Sequence, residues 1–303
     1  MKNKTLIVIT GPTGVGKTET TLRIAEHFNV PVINADSRQI FSEIPIGTAA
    51  PTAEQQLRVQ HYFVGNHHLE DYYSASLYEQ DVLNIINSQH TPISLLPGGS
   101  MMYIDAVCNG IDDIPTILPE IREKMMKRLE AEGLEQMCNL LRELDPEHWK
   151  IVDRNNPRRV IHALEICIQT GKTYTSFRSN TIKDRPFNII KVGLNRDRDE
   201  LYNRINQRVL DMIEEGMIEE ALQVYPKRTL NSLNTVGYKE LFEYLDGLTT
   251  LDEAIFKIQS NTRRYARKQL TWYKKDTAFQ WFNPDNIEEI LNYVHTMISN
   301  TSK

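Results

Sequence analysis

The sequence predicts an α/β fold in which a parallel sheet is flanked by helices and interrupted by a helical insertion. Three observations carry this. An apolar, β-branched run at 5–10 (TLIVIT) leads straight into a glycine-rich loop and an amphipathic stretch. Two further apolar runs, 30–34 and 93–96, end in small or polar residues, as strands do where a parallel sheet offers its carboxyl edge to a ligand. From about 115 the texture turns charged and helical. A length of 303 residues suits one large domain or two unequal ones, and 40% hydrophobic with 25% charged residues excludes a disordered, collagenous or fibrous chain.

Taken in order, 5–10 reads as a buried strand because it is apolar on both faces. Gly11 to Gly16 form a loop, and 17–28 a helix that turns Leu22, Ile24, Ala25 and Phe28 inward. A second strand, 30–34, ends at Ala35-Asp36-Ser37; a helix over 76–87 follows, and a third strand, 93–96, ends at Pro97-Gly98-Gly99. Residues 119–145 read as helix, and between 112 and 147 ten Asp/Glu face five Lys/Arg. Residues 150–185 reverse the sign, with eight Lys/Arg against three Asp/Glu. The expected division is therefore a core of 1–114 plus 188–303 and a helical insertion, 115–187, carrying one basic face. Residues 189–195 return to the sheet as a strand. Helices are expected at 197–215, 216–225, 237–246, 251–275 and 286–299, the last serving packing.

With 35 basic and 40 acidic residues the net charge is −5, so any nucleic-acid site must be local. The three cysteines, Cys108, Cys138 and Cys167, are widely spaced with no CxxC, which excludes a zinc finger and fits a reducing cytosol. The N-terminal apolar run is too short for a signal peptide and none elsewhere could span a membrane, so a soluble cytoplasmic protein is expected.

Gly11-Pro12-Thr13-Gly14-Val15-Gly16-Lys17-Thr18 fits the phosphate-binding pattern GxxxxGK[ST] in full, between a strand and a helix. Backbone N–H groups and the helix N-terminus would hold phosphate oxygens, Lys17 would add a point charge, and the Thr18 hydroxyl suits Mg²⁺. The alternative is a chance glycine-rich turn. No Walker-B aspartate ends the third strand. The acid nearest the loop is Asp36, at the tip of the second strand, with the two strands taken as neighbours; its alternative role is a helix cap. His61, His67 and His68 lack a third well-spaced metal ligand and read as structural or surface residues.

Between Lys257 and Lys275 there are seven Lys/Arg and no acid. Arg263, Arg264, Arg267 and Lys268 share a helix face, with Tyr265, Trp272 and Tyr273 interleaved, which suits a phosphate backbone and exposed bases. A solvated helix face is the alternative. Asn155-Asn156-Pro157-Arg158-Arg159 supplies a second basic site at a helix start.

In this combination the chain resembles the tRNA dimethylallyltransferase family, from Thr10 to about Trp281. The resemblance is carried by 11–18, 35–41 (ADSRQIF), 46–52 (IGTAAPT), 67–71 (HHLED), 97–103 (PGGSMMY), 155–166 (NNPRRVIHALEI), 214–222 (EEGMIEEAL), 235–241 (TVGYKEL) and 262–275. It implies a P-loop kinase-like core and transfer of a dimethylallyl group from its pyrophosphate to N6 of adenosine 37 in the anticodon stem-loop of tRNA. It makes Asp36 the acceptor of the N6 proton, with Lys17 and Ser100 beside the reacting groups. It also places Ser37, Arg38, Gln39, Ser100, Arg158, Arg159, Val160, Ile161 and His162 against tRNA. No protein partner or membrane is implied. The target adenine must leave the base stack to reach such a pocket. Ser100 stands where the family usually has Thr, Met101-Met102 where it has Gly-Leu, His162 where an arginine is common and Leu77 where Phe is frequent; none removes a reacting group.

Three rivals are separable. An adenylate isopentenyltransferase acting on free AMP or ATP needs the loop and Asp36 but neither the basic helix nor the insertion. A small-molecule P-loop kinase turns over ATP without a prenyl donor. A non-catalytic RNA-binding module needs neither Lys17 nor Asp36.

Overall fold

The computed structural model describes residues 4–179 and 181–301. They form two compact units, one running to Asn109 and resuming at Asp184, the other Gly110–Lys183. Among the described residues no helix is long and apolar enough to cross a membrane.

The first unit is built on a six-stranded sheet of β1 (Thr5–Thr10), β2 (Val32–Ile33), β3 (His61–Tyr62), β4 (Ile93–Gly98), β5 (Asn188–Leu194) and β6 (Gln280–Phe282). The spatial order is β3-β2-β4-β1-β5-β6, and every neighbouring pair is parallel. β1 is the central strand, buried at all six positions. Its side chains alternate between two cores, as the period-two pleat requires. Leu6 and Val8 pack with Tyr78, Tyr103 and Tyr238 on one face, Ile7 and Ile9 with Leu22, Ile205 and Val294 on the other. Thr10 is level with Gly98 of β4 and Gly193 of β5, so the loops beyond these strands start from one edge.

One expectation is corrected here. β1 and β2 are not neighbours, because β4 lies between them.

The helices of this unit begin with α1 (Lys17–Phe28), α2 (Pro45–Thr48), α3 (Ala53–Arg58), α4 (Ala75–Ser88) and α5 (Met101–Asn109). The second unit then holds α6 (Pro119–Leu144), α7 (Pro146–Ile151) and α8 (Pro157–Thr170). The first unit resumes with α9 (Arg198–Glu214), α10 (Met217–Val224), α11 (Tyr238–Leu245), α12 (Leu251–Tyr273) and α13 (Ile287–Thr301).

The second unit has its own core of Met125, Met137, Leu141, Val160, Ile161 and Leu164. Gly133, with φ of 80°, breaks α6 into two segments. Asp145 is 1% exposed and caps α7 by accepting from His148 N at 2.9 Å, while its other oxygen accepts from Thr175 N at 2.7 Å. The insertion expected over 115–187 ends earlier, because Arg185 and Phe187 belong to the first unit. Phe187 is 2% exposed in its core, and Arg185 bonds Glu79 and the Ala106 carbonyl, each at 2.5 Å.

Candidate active site

The phosphate-type loop leaves β1 and is held by its carbonyls. Lys17 Nζ donates to Gly11 O at 2.9 Å and Pro12 O at 3.0 Å. Arg204 donates to Gly14 O at 3.0 Å and Arg196 to Val15 O at 2.8 Å. Thr13 N donates to Gln269 Oε1 at 2.9 Å, and the Arg208 guanidinium reaches Thr13 Oγ1 at 3.2 Å. Gly14 must be glycine: its φ is 81°, and a Cβ there would stand 2.8 Å from Ile205 Cγ1. Pro12 and Val15 are buried and anchor the loop, whereas Thr18 is exposed at the first turn of α1. Burial, reinforced by the Arg208 charge and opposed by Asp36, brings the Lys17 ammonium down to about 8.

Asp36 follows the bridge that ties Ala35 to Gly98. No helix starts here. Residues 37–40 form a turn, and Asp36 Oδ1 accepts from Arg38 N at 2.9 Å, an Asx turn in place of a helix cap. Ser100, 8% exposed, bonds the same turn by accepting from Ser37 N at 2.8 Å. The Gln39 amide is spent within the protein: Nε2 donates to Thr48 O and Ala49 O, and Oε1 accepts from Asn34 Nδ2. Its side chain braces the turn, and it also lines the narrower cleft beside Asp36.

A cleft of about 350 Å³ brings these groups together, lined by Thr13, Gly14, Asp36, Ser37, Arg38, Ser100, Arg208, Lys239 and Tyr265 among others. A narrower cleft beside it is lined by Lys17, Thr18, Asn34, Asp36, Gln39 and His61. Thus Asp36 borders both. At the tip of β4 a Cβ on Gly99 would stand 2.5 Å from Gln269 Nε2, which donates to Gly99 O at 2.9 Å. Gln269 is 1% exposed and staples the phosphate-type loop to β4. Sequence reasoning missed Gln269, Arg196, Arg204, Arg208 and Lys239. One signal was available: Arg204 and Arg208 sit one helical turn apart on α9, facing the loop.

On α12, Arg264, Arg267 and Lys268 are exposed and Arg263 half-buried, opposite the buried Ala266, Gln269 and Tyr273. Arg267 donates to Tyr202 OH at 3.0 Å and Arg263 to Asn206. The interleaved aromatics diverge. Tyr265 lines the cleft and Trp272 donates to Asp105 at 2.9 Å, while Tyr273 is 2% exposed and belongs to the core, not to a base-stacking face.

In the second unit Arg158 and Arg159 are exposed in the first turn of α8, which starts at Pro157 and is capped by Asn156 accepting from Arg159 N at 3.3 Å. The side chains of Val160 and Ile161, at 0% and 4% exposure, pack in the core of this unit. His162 is half-exposed, 3.6 Å from Glu165. His61, His67 and His68 go separate ways: His61 bonds Val59 O, His67 packs on Tyr73, and His68 faces Glu43.

The family description "IPP transferase" matches residues 39–276. A tRNA dimethylallyltransferase 1 of Phocaeicola vulgatus is 61% identical over 296 residues, covering 97% of this chain and 98% of that protein. Another of that name from Bacteroides fragilis is 58% identical over 300 residues, covering 98% of this chain and 100% of its own. Among solved structures, the full-length tRNA isopentenylpyrophosphate transferase of Bacillus halodurans aligns with a TM-score of 0.72 at 34% identity, covering 99% of this chain and 98% of that one. A eukaryotic dimethylallyltransferase acting on tRNA aligns with a TM-score of 0.82 at 25% identity, covering 98% of this chain and 80% of that one.

Proposed function

We propose a reaction for this chain from one premise: it belongs to the IPP transferase family. It is a transferase, and its substrate is tRNA. It transfers a dimethylallyl group to N6 of adenosine 37 in tRNA, and the donor we assign is dimethylallyl pyrophosphate. The observation that carries this reading is one cleft with Thr13, Gly14 and Arg208 at a cationic end and Asp36 within it. A polyphosphate fits the first, and an amine losing a proton fits the second.

In the step we assign, the bond between C1 of the prenyl group and the pyrophosphate oxygen breaks, and its electron pair leaves with pyrophosphate. The N6 lone pair forms the new C1–N bond, and the N6 proton passes to Asp36. The allylic carbon tolerates positive charge, so stabilising the leaving group is the larger task, and Lys17 and Arg208 are preorganised for it. Ser100 orients the Asp36 turn through Ser37. The narrower cleft fits Mg²⁺ in its chemistry, since the exposed Thr18 hydroxyl there is a hard oxygen donor. Among the described residues no cluster of three His, Cys, Asp or Glu could hold a metal by itself. The ion would therefore share the phosphate oxygens of the donor and neutralise their charge. For tRNA we assign the grip to Arg263, Arg264, Arg267 and Lys268 on α12, and to Arg158 and Arg159 on α8.

The test is direct. The protein is incubated with dimethylallyl pyrophosphate, Mg²⁺ and unmodified tRNA, and the nucleosides of the digested tRNA are analysed. N6-(dimethylallyl)adenosine is expected. Its absence, with ATP hydrolysed when ATP replaces the prenyl donor in a parallel incubation, would transfer the loop to a kinase reading.

A further inference from the structure

Three of the stretches singled out in the sequence, 46–52, 214–222 and 235–241, play no part in the reaction above. The fold joins them at one buried carboxylate, Glu220 on α10, which is 6% exposed. Its Oε2 accepts from Ile46 N at 2.8 Å and its Oε1 from Gly47 N at 2.8 Å, and the Tyr238 hydroxyl also donates to Oε1. Ile46 and Gly47 lie in the first turn of α2, a four-residue helix too short to bond its own N-terminal N–H groups. A buried carboxylate satisfied by three donors is their partner. Gly47 has no room for a side chain, because the Tyr238 hydroxyl and Met217 Cε would meet its Cβ.

The clamp does not end at α2. The turn closes at Ala49, whose φ of 47° is disfavoured for a residue with a Cβ and must be held by its surroundings. The carbonyls of Thr48 and Ala49 accept both N–H groups of the Gln39 amide, at 3.0 and 2.9 Å. Gln39 Oε1 accepts from Asn34 Nδ2 at 3.1 Å. Asn34 precedes Asp36 and Gln39 follows it, so the Asx turn is pinned on both flanks. Burial and the Glu220 charge push the Tyr238 hydroxyl well above its ordinary value, which keeps it a donor at every working pH.

We propose that Glu220 is a positioning residue: by fixing the 44–49 turn it fixes, through Gln39, the turn that carries Asp36 into the cleft. This rests on the transfer reading, in which Asp36 takes the N6 proton. Glu220 does not line that cleft, whereas Gly47 and Thr48 do, together with Asp36 and Ser37.

Glu220→Gln in the full chain replaces one acceptor by an amide N–H aimed at another N–H. Its kcat on tRNA should fall by about 10²-fold, the order that a misplacement of about 1 Å costs. The KM for the prenyl donor should stay within about two-fold, since the phosphate-type loop is held by other residues. Hydrogen exchange at the Ile46 and Gly47 amides should speed up, while exchange over 11–18 should not. Tyr238→Phe removes one donor only and should move kcat the same way by less, which keeps the idea testable if Glu220→Gln folds poorly. Product formed by the wild-type protein secures the transfer reading on its own. Against that product, a wild-type kcat in Glu220→Gln, or a fall in kcat matched by an equal rise in donor KM, overturns the positioning role alone.

Discussion

Lys17 holds its charge against its surroundings. Its ammonium is buried, faces Arg208, and is brought down to about 8. A polyanion in the cleft restores the proton, so donor binding should take up a proton once the solution is above about pH 8. The sign follows: affinity is full below that value and weakens about ten-fold per pH unit above it. Calorimetric titration of the donor at pH 7 to 9.5 should show this, and Lys17→Arg, charged throughout, should flatten the dependence. Asp36→Asn asks a different question. Asn can still accept from Arg38 N, so the Asx turn survives, but it cannot take a proton. Turnover should fall roughly 10²–10⁴-fold with donor and tRNA affinity near wild type; near-normal activity would leave Asp36 only a turn-former. Much of this site was legible: the glycine pattern, Lys17, Asp36 and Ser100 lie at strand ends, where a parallel sheet keeps its chemistry. Gln269, Arg208 and Glu220 were not, because each acts more than 150 residues from its partner along the chain, and such pairing leaves no local periodicity to read. Val160 and Ile161 lie within a motif yet turn their side chains into the core, because motif membership says nothing about which side of a helix faces water.

At the level of elements, α12 does two jobs on two faces. One face carries Ala266, Gln269 and Tyr273 inward; the other carries Arg263, Arg264, Arg267 and Lys268. Arg263→Ala with Arg267→Ala should weaken tRNA binding and make the log–log salt dependence shallower by about one unit per lost phosphate contact. An unchanged slope would make these arginines a solvated surface that orders α9 through Tyr202 and Asn206. Long elements announced themselves: α1, α9, α12 and β1 follow apolar spacing closely. β3 and β6, with two and three residues, are too short for alternation to be seen. The α2 turn is invisible for another reason: it has no buried residue of its own and is shaped by a distant carboxylate. Gly133 had to be glycine to break α6, yet a lone glycine inside a helical pattern is ordinarily tolerated.

Over the whole molecule, the two units have separate cores, and the chemistry assigned above lies wholly in the sheet-bearing one. The order of that sheet matters most. The phosphate-type loop rises from β1 and the Asp36 turn from β2, with β4 between them, so the two stand about two strand spacings apart, roughly 10 Å. The tip of β4 ends in Gly98-Gly99-Ser100, and a Cβ at Gly98 would collide with the Ala35 carbonyl, so the backbone leading into the Asp36 turn lies directly against that tip. The consequence is stereochemical. If pyrophosphate departs on the β1 side while the amine arrives from the β2 side, the migrating carbon is approached opposite to its leaving group and its configuration must invert. A donor bearing a single deuterium of known handedness at C1 should give prenyladenosine of the opposite sense, and retention would require that both partners visit the same side of β4 in turn.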